Sequence, residues 1–269
     1  MSINKFCLDE QTGYTGYSLD ALNSNAIYVL DKYIIENTGL SVYARCWTTH
    51  NAKTIREFYC NSKMPDKMRE LVDELFVDSP VLITLWKGNN VYEKLNKIKG
   101  KSHPRIAHET SIRGTFLCDN SICNLIHTPD SVEEAERELA CLNNFSFNNF
   151  SLINNHVHKN TGVFFLNHSG IVMLHKALLR LEFNENLQLI IDYKDILKER
   201  SIRFFNETRK IIFKLNNSDN AYIDRIINIY FNEDIREMEN ILSDGSFPLS
   251  KWEKFVLLCG MSCIDKWEN

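Results

Sequence analysis

Hydrophobic positions in the first half of the chain change between helical and strand-like spacing. Apolar residues recur every three or four positions within Ala21–Glu36, which predicts an amphipathic helix. Residues Leu40–Trp47 alternate between two faces, and Pro80–Trp86 form an apolar, β-rich run, so both segments are predicted to be strands, the second one buried. Further helices are predicted over Asn51–Asn61, Asp66–Val77, Asn90–Ile98 and Ser131–Leu142.

Two shorter strands complete the predicted topology. One is placed near Lys5–Leu8, and the other over Cys123–Ile126, after a long loop at Lys99–Ile112 that is rich in turn-forming and polar residues. Strands and helices then follow one another as in a split βαβ arrangement. The fold class of this half is therefore predicted to be α+β and ferredoxin-like.

The second half of the chain has a different pattern. Asn143–Asn155 is rich in asparagine and lacks helical periodicity, so it is interpreted as a connector or an irregular segment. The spacing after it predicts a mostly α-helical domain, with helices over Gly170–Leu181, Leu187–Glu199, Phe204–Leu215, Ala221–Leu242 and Ser250–Cys263. The chain is therefore predicted to contain two domains, 1–145 and 146–269.

Composition and charge narrow the class of protein. Hydrophobic residues make up 44% and charged residues 25%, as in ordinary globular proteins, and the net charge of −4 without a long basic run does not indicate a nucleic-acid partner. No apolar stretch approaches the roughly 18 residues of a membrane-spanning helix, and the N-terminus lacks a secretory pattern. We therefore expect an intracellular, cytoplasmic protein without a membrane partner.

The eight cysteines are scattered along the chain and never form a Cys-x-x-Cys pair. Cys118 and Cys123 have four residues between them, but no His or Cys pair stands at a matching distance. A zinc site is one interpretation of this pattern. Reduced and mostly buried thiols are the interpretation that the pattern favours.

His127 is the residue whose surroundings point most clearly to chemistry. It follows a short apolar segment and precedes the predicted helix at Ser131, where Glu134 is spaced to complete a capping box. Glu134 and Glu138 lie one turn apart, so either carboxylate could reach back and hold the imidazole in one tautomer. Such a ring suits phosphoryl transfer, which depends on positioning and charge stabilisation. Taken alone, a single histidine is more often an ordinary surface or core residue.

The residues around His127 resemble a known family. The stretch SIRGTFLCDNSICNLIHTPDSVEEAEREL, from Ser111 to Leu139, is similar to the active-site block of nucleoside diphosphate kinases. Upstream, Pro80–Val91 resembles the family's central strand and the turn after it, and Tyr59 falls where a tyrosine closes an earlier helix. The resemblance covers Ala26–Leu142 and implies a ferredoxin-like nucleoside-diphosphate-kinase-like domain.

The resemblance also implies a set of roles. His127 would carry the γ-phosphate as the nucleophile, and Glu138 would hydrogen-bond the other ring nitrogen. Arg113 would contact phosphate oxygens, Asn124 would contact the ribose hydroxyl region, and Ser102 would replace a phosphate-binding threonine. The implied donor is ATP or another nucleoside triphosphate with Mg²⁺ on its phosphates, and the implied acceptor is a nucleoside diphosphate or a specialised small molecule. A homo-oligomer is also implied.

Several positions depart from the family's pattern. The family's first strand ends in a phosphate-binding lysine before Pro-Asp-Gly, and Lys5–Glu10 contains no such motif. The base-stacking phenylalanine has no counterpart in Ser62–Lys67, the loop arginine aligns near Asn96 with Lys97 close by, and Thr128-Pro129 replaces Gly-Ser after the histidine. These departures leave an alternative open: a catalytically degraded nucleotide-binding or sensing module whose helical half serves interaction or regulation.

Overall fold

The computed structural model describes residues 8–60, 62–142, 151–152, 162–183, 185, 189–192, 200–215 and 220–268. The chain divides into two units, residues 1–100 with 125–163 and residues 101–124 with 164–269. This division differs from the predicted domains 1–145 and 146–269, because residues 101–124 belong with the C-terminal residues. The two-domain assignment stays a proposal.

The first unit is organised by an antiparallel sheet. Its strands are β1 (Thr12–Tyr17), β2 (Ser41–Thr49), β3 (Pro80–Lys87) and β4 (Ser151–Leu152), in the order β1-β3-β2-β4. Strand β3 is buried from Val81 to Trp86, as its apolar run predicts. On the free edge of β1, Gly16 and His127 form an antiparallel bridge. A ferredoxin-like sheet has a strand beside β1, and here this bridge stands in its place. The predicted α+β, split βαβ class is confirmed.

Helices connect these strands. They are α1 (Leu19–Asn23), α2 (Ile27–Thr38), α3 (Ala52–Phe58), α4 (Asp66–Phe76), α5 (Val91–Lys99) and α7 (Val132–Ala140). The prediction of one helix over Ala21–Glu36 is wrong, because the helical conformation is interrupted between α1 and α2. Asn25 there has a φ of 53°, a left-handed conformation that asparagine tolerates and a continuous helix does not.

Strand β1 lies later in the chain than the predicted first strand. The predicted strand near Lys5–Leu8 falls outside the described residues except for Leu8, which is not in a strand. The observed strand reads TGYTGY and is buried at all six positions. Its polar groups are satisfied inside the unit, for example where the Trp86 indole donates to Thr15 Oγ1 at 2.9 Å. Because all six positions are buried, polar and apolar residues do not mark two different faces, and the sequence pattern did not predict this strand.

The predicted strand at Cys123–Ile126 is wrong. Leu125 has a φ of 73°, which ends any extended run and produces a turn immediately before His127. The Leu125 backbone N–H donates to the buried Asp20 carboxylate at 2.6 Å, and the Asp20 carboxylate also accepts from the Ser18 hydroxyl at 2.6 Å. A side chain distant in sequence therefore fixes the conformation of this turn.

The second unit is mostly helical. Its elements are α6 (Ile112–Thr115), α8 (Gly170–Phe183), α9 (Ser201–Leu215), α10 (Ala221–Phe231), α11 (Ile235–Ser243), α12 (Lys251–Met261), α13 (Asp265–Glu268), a 3₁₀ helix at Pro104–Ile106 in the predicted long loop, and β6 (Ile190–Asp192), which pairs with β5 (Val163–Phe165). The predicted helix over Leu187–Glu199 is wrong at β6, and residues 193–199 lie outside the described residues. The predicted helix over Ala221–Leu242 is two helices, because Glu233 has a φ of 56° between them. None of the helices in the described part of the chain combines the length and the apolar character of a membrane span.

Helices α8 and α12 approach each other through glycine. A Cβ atom placed on Gly170 would lie 2.5 Å from the Cα of Gly260, closer than real Cβ contacts occur. The Asp119 carboxylate caps the start of α8 by accepting from the backbone N–H groups of Gly170 at 3.1 Å and Ile171 at 2.8 Å. Both features fix α8 in place, so this helix tolerates little displacement.

The glycine contact generates a stability prediction. Gly170→Ala should lower the free energy of unfolding by about 1–3 kcal/mol, because the added methyl group forces the two helices apart. Chemical denaturation followed by tryptophan fluorescence measures the change. Gly245→Ala is the matched control, since nothing lies within 4 Å of a Cβ at Gly245. Equal stability of the two variants would contradict the close helix contact.

Candidate functional site

His127 is held by its backbone on both sides. Its N–H and C=O groups pair with Gly16 of β1 at 3.0 and 2.9 Å, and the Leu125 turn precedes it. Helix α7 begins shortly afterwards, where the Ser131 hydroxyl accepts from the Glu134 backbone N–H at 3.2 Å. With its backbone fixed in this way, the imidazole remains 26% exposed. The ring is thus accessible on a rigid support.

The capping box predicted at Ser131 is only half formed. The Glu134 carboxylate accepts from the Asp130 backbone N–H at 2.7 Å, one residue before the position that a capping box requires. Glu134 is engaged in this cap. Glu138 is the carboxylate that hydrogen-bonds His127.

One imidazole nitrogen of His127 is occupied by Glu138. The Nε2 atom lies 2.9 Å from Glu138 Oε2, and the Glu138 residue is 3% exposed. An ionised carboxylate can only accept a hydrogen bond, so Nε2 carries the proton and the neutral ring has its lone pair on Nδ1. Within the described part of the chain, Nδ1 has no hydrogen-bond partner. The geometry therefore leaves Nδ1 available as a nucleophile.

Two further groups contact the Glu138 carboxylate. The Tyr14 hydroxyl donates to Oε2 at 2.5 Å, and the Arg137 guanidinium lies 3.5 Å from Oε1. Burial alone would raise the pKa of Glu138. The hydrogen bonds from His127 and Tyr14, together with the charge that His127 carries when its ring is protonated, outweigh burial, so the pKa of Glu138 lies below its ordinary value. The carboxylate therefore stays ionised at neutral pH.

Aromatic rings flank the imidazole. The ring of Phe58 lies 4.9 Å from that of His127 between centroids, and the ring of Tyr59 lies 6.3 Å away at an interplanar angle of 79°. The imidazole of His50 packs against Phe58 at 5.0 Å and is buried. Tyr59, a predicted site residue, is therefore beside His127. Phe58 and His50 were not predicted as site residues, because their contacts around His127 depend on tertiary structure.

The segment after His127 is held by α5. Asn96 accepts from the Thr128 hydroxyl at 3.0 Å and donates to the Pro129 carbonyl at 3.0 Å, while the Lys99 ammonium donates to the Thr128 carbonyl at 2.8 Å. Sequence reasoning did not assign these contacts. Lys97, the predicted substitute for the loop arginine, is exposed on the same helix.

Three predicted site residues lie together in the second unit. Arg113 is buried on α6 and donates to the Asn124 side-chain oxygen at 3.1 Å. The Asn124 amide donates in turn to the Ser102 carbonyl at 3.3 Å and the Ser121 carbonyl at 2.8 Å. Ser102 itself is exposed. Their roles toward a nucleotide stay predictions.

In the family that this chain resembles, the first strand ends in a phosphate-binding lysine. Strand β1 ends at Tyr17 and is followed by Ser18, Leu19 and the buried Asp20. Lys5–Glu10 therefore precede the strand, so the predicted position of the motif is wrong. The strand end offers a serine hydroxyl instead of an ammonium group.

The described residues offer no protein-built metal cage. Among them, no group of three or more His, Cys, Asp or Glu side chains is placed to hold a metal ion, and their cysteines are free thiols.

Part of the sequence is similar to a known family of proteins. The profile of the nucleoside diphosphate kinase family matches residues 20–148. The nucleoside diphosphate kinase of Legionella pneumophila (strain Lens) is 32% identical over 105 residues, which cover 39% of this chain and 73% of that protein. The one from Brevibacillus brevis is 34% identical over 104 residues, which cover 39% and 69%.

Solved structures also resemble part of the chain. A nucleoside diphosphate kinase from Halobacterium salinarum in complex with CDP is 19% identical, covers 55% of this chain and 95% of its own, and has a TM-score of 0.45. One from Encephalitozoon cuniculi is 24% identical, covers 51% and 95%, and has a TM-score of 0.42.

This chain belongs to the nucleoside diphosphate kinase family. The family is one of nucleotide-dependent kinases, which places the chain in that broad class. Residues beyond 148 lie outside the range that the family profile matches.

The burial of His50 generates a pH prediction. Burial, and then the positive charge of His127, lower the pKa of His50 to about 4 in the folded protein, against an ordinary value near 6.5. As the pH falls, His50 therefore takes up a proton in the unfolded chain before it does so in the folded protein. Its contribution to stability is present above pH 6.5 and is lost as the pH falls toward 4, by up to about 3 kcal/mol.

Urea unfolding between pH 7.5 and 4.5 tests this prediction. The wild type should lose more stability over this range than His50→Gln, whose side chain does not titrate. Identical pH slopes in the two proteins would contradict a buried neutral His50.

Proposed function

We propose that this protein is a nucleotide-dependent phosphotransferase that carries the γ-phosphate of a nucleoside triphosphate on Nδ1 of His127. The observation that carries the proposal is the hydrogen bond between His127 Nε2 and the buried Glu138 carboxylate. This hydrogen bond orients the ring and leaves one nitrogen lone pair exposed. Family membership supports the same chemistry.

The reaction takes place in two steps. The Nδ1 lone pair attacks the γ-phosphorus, the N–P bond forms, and the bond to the bridging oxygen breaks, so the nucleoside diphosphate leaves with that electron pair. The ring gains positive charge while its Nε2–H group stays hydrogen-bonded to the Glu138 carboxylate. The negative charge of that carboxylate stabilises the ring. An acceptor oxygen then attacks the phosphorus and the N–P electron pair returns to Nδ1. A nucleoside diphosphate attacks with an anionic oxygen, whereas a hydroxyl acceptor releases its proton to solvent.

The donor is ATP or another nucleoside triphosphate, with Mg²⁺ on its phosphates. Arg113, Asn124, Ser102 and Lys97 keep their predicted roles as nucleotide or phosphate contacts, and Tyr59 keeps its role beside the imidazole. A homo-oligomer remains part of the proposal, as the family resemblance implies.

The acceptor is a nucleoside diphosphate or a specialised small molecule. Ser18 stands where β1 ends and supplies no cation to the phosphates. Loss of one positioned cation lowers phosphoryl transfer by orders of magnitude. A narrower reaction than general nucleotide interconversion therefore fits these residues best.

The same observation favours a second candidate function. With a serine at the end of β1 and Thr128-Pro129 after the histidine, the chain could bind nucleotides without transferring phosphate. Its helical second half would then serve interaction or regulation. A nucleotide-dependent rise in melting temperature without phosphohistidine is the expected signature of this function.

Phosphorylation of His127 is the direct prediction. Incubation with Mg²⁺ and γ-³²P-labelled ATP or GTP should label the protein on histidine, with a label that is acid-labile and base-stable. His127→Ala should hold no label. His108→Gln, an exposed histidine of the second unit, should be labelled like the wild type. Absence of label on the wild-type protein would contradict the enzyme proposal.

Glu138→Gln should slow phosphohistidine formation by about a hundredfold or more, as expected when a ring-orienting carboxylate is neutralised. The glutamine carbonyl can still accept from Nε2, but it no longer offsets the positive charge on the ring. Rapid-quench measurement of the first turnover gives the rate constant. Glu136→Gln, on the exposed face of α7, is the control. Equal rates for wild type and Glu138→Gln would rule out a role for the pair in transfer.

A further inference from the structure

The Glu138 oxygen that accepts from His127 has a second donor. The Tyr14 hydroxyl on β1 donates to the same Oε2 atom at 2.5 Å, while His127 Nε2 lies 2.9 Å from it. Tyr14 is completely buried, and its ring centroid lies 6.3 Å from that of His127. A tyrosine of the sheet is therefore in direct contact with the carboxylate that orients the candidate nucleophile.

Burial keeps the Tyr14 hydroxyl protonated, so that it donates a hydrogen bond. Burial and then the negative charge of Glu138 raise the pKa of Tyr14 well above its ordinary value, so the hydroxyl keeps its proton throughout the range in which the protein works. A phenol that always donates to an ionised carboxylate forms a short, charge-assisted hydrogen bond. This bond selects one rotation of the carboxylate, in which Oε2 faces the imidazole.

The other groups around Glu138 cannot replace this contact. Arg137 lies 3.5 Å from Oε1, on the far side of the carboxylate, and His50 is a buried neutral ring. The hydroxyl of Thr128 donates to Asn96, away from Glu138. Among the described residues, the donors to Oε2 are thus Tyr14 and His127.

We propose that Tyr14 is a positioning residue for phosphoryl transfer, because its hydrogen bond holds the Glu138 carboxylate in the orientation that keeps Nε2 of His127 protonated and Nδ1 free. The proposal rests on the proposed function for its catalytic consequence. The positioning of the ring itself can be observed without any turnover.

Tyr14→Phe removes the hydroxyl and keeps the ring. We expect the rate constant for phosphohistidine formation to fall about ten- to a hundredfold, the effect of one lost hydrogen bond to a charged group, with unchanged nucleotide affinity. In ¹⁵N spectra of the unphosphorylated protein, the population with a proton on Nδ1 of His127 should rise. A role in folding alone would leave the tautomer unchanged.

Tyr17→Phe is the matched control. Tyr17 is a buried tyrosine of the same strand, and its hydroxyl donates to the Asp31 carboxylate at 2.8 Å, a group paired with Arg45. Both variants therefore lose a buried hydroxyl-to-carboxylate bond from β1. Only Tyr14→Phe should change the labelling rate and the His127 spectrum. If Tyr14→Phe does not fold, 3-fluorotyrosine at position 14 keeps the shape but donates from a more acidic hydroxyl, so the ¹⁵N shifts of His127 should change, and unchanged shifts would overturn the proposal.

Each outcome decides the proposal. Wild-type rate and spectrum in Tyr14→Phe, or equal slowing in both tyrosine variants, would overturn it while the proposed function stands. If the wild type holds no label, the proposed function fails and the catalytic consequence fails with it. The His127 spectrum then decides positioning by itself, and an unchanged spectrum in Tyr14→Phe would reject it.

Discussion

The hydrogen bond between His127 and Glu138 is the interaction on which the site depends. A neutral imidazole has one protonated and one unprotonated nitrogen, and the group that contacts one nitrogen determines the state of the other. Here the buried carboxylate contacts Nε2, and Nδ1 is left with its lone pair. The position of an acid on the neighbouring helix therefore determines which imidazole nitrogen keeps its lone pair.

The fold of the first unit maintains this geometry. The turn at Leu125 and the bridge to Gly16 fix the backbone of His127, while the capped start of α7 sets the distance to Glu138. Asp20 connects the end of β1 to the turn. Strand β1 thus contributes twice, through its backbone at Gly16 and through the hydroxyl of Tyr14.

The sequence predicts those parts of the fold whose pattern is local. Strand β3 and helix α4 were found because a continuous apolar run and a helical stripe need no other segment to be recognised. Strand β1 was missed because its buried polar groups are satisfied by distant partners such as Trp86. The turn at Leu125 was missed for the same reason, since Asp20 stabilises it from 105 residues away. The spacing left Glu134 and Glu138 open as partners of His127, and the family resemblance indicated Glu138, whereas the contacts of Tyr14, Asn96 and Lys99 depend on tertiary structure. The catalytic role of the pair stays a prediction.

The most direct test of the central claim is the identity of the phosphorylated nitrogen. Protein labelled with ¹⁵N in its histidines and phosphorylated by Mg²⁺ and a nucleoside triphosphate can be examined by NMR, where coupling to phosphorus identifies the bonded nitrogen. The hydrogen bond to Glu138 predicts a phosphorus on Nδ1 of His127, with Nε2 still protonated. Phosphorus on Nε2 would contradict this account, because that nitrogen would then have to be released from the carboxylate before it could react.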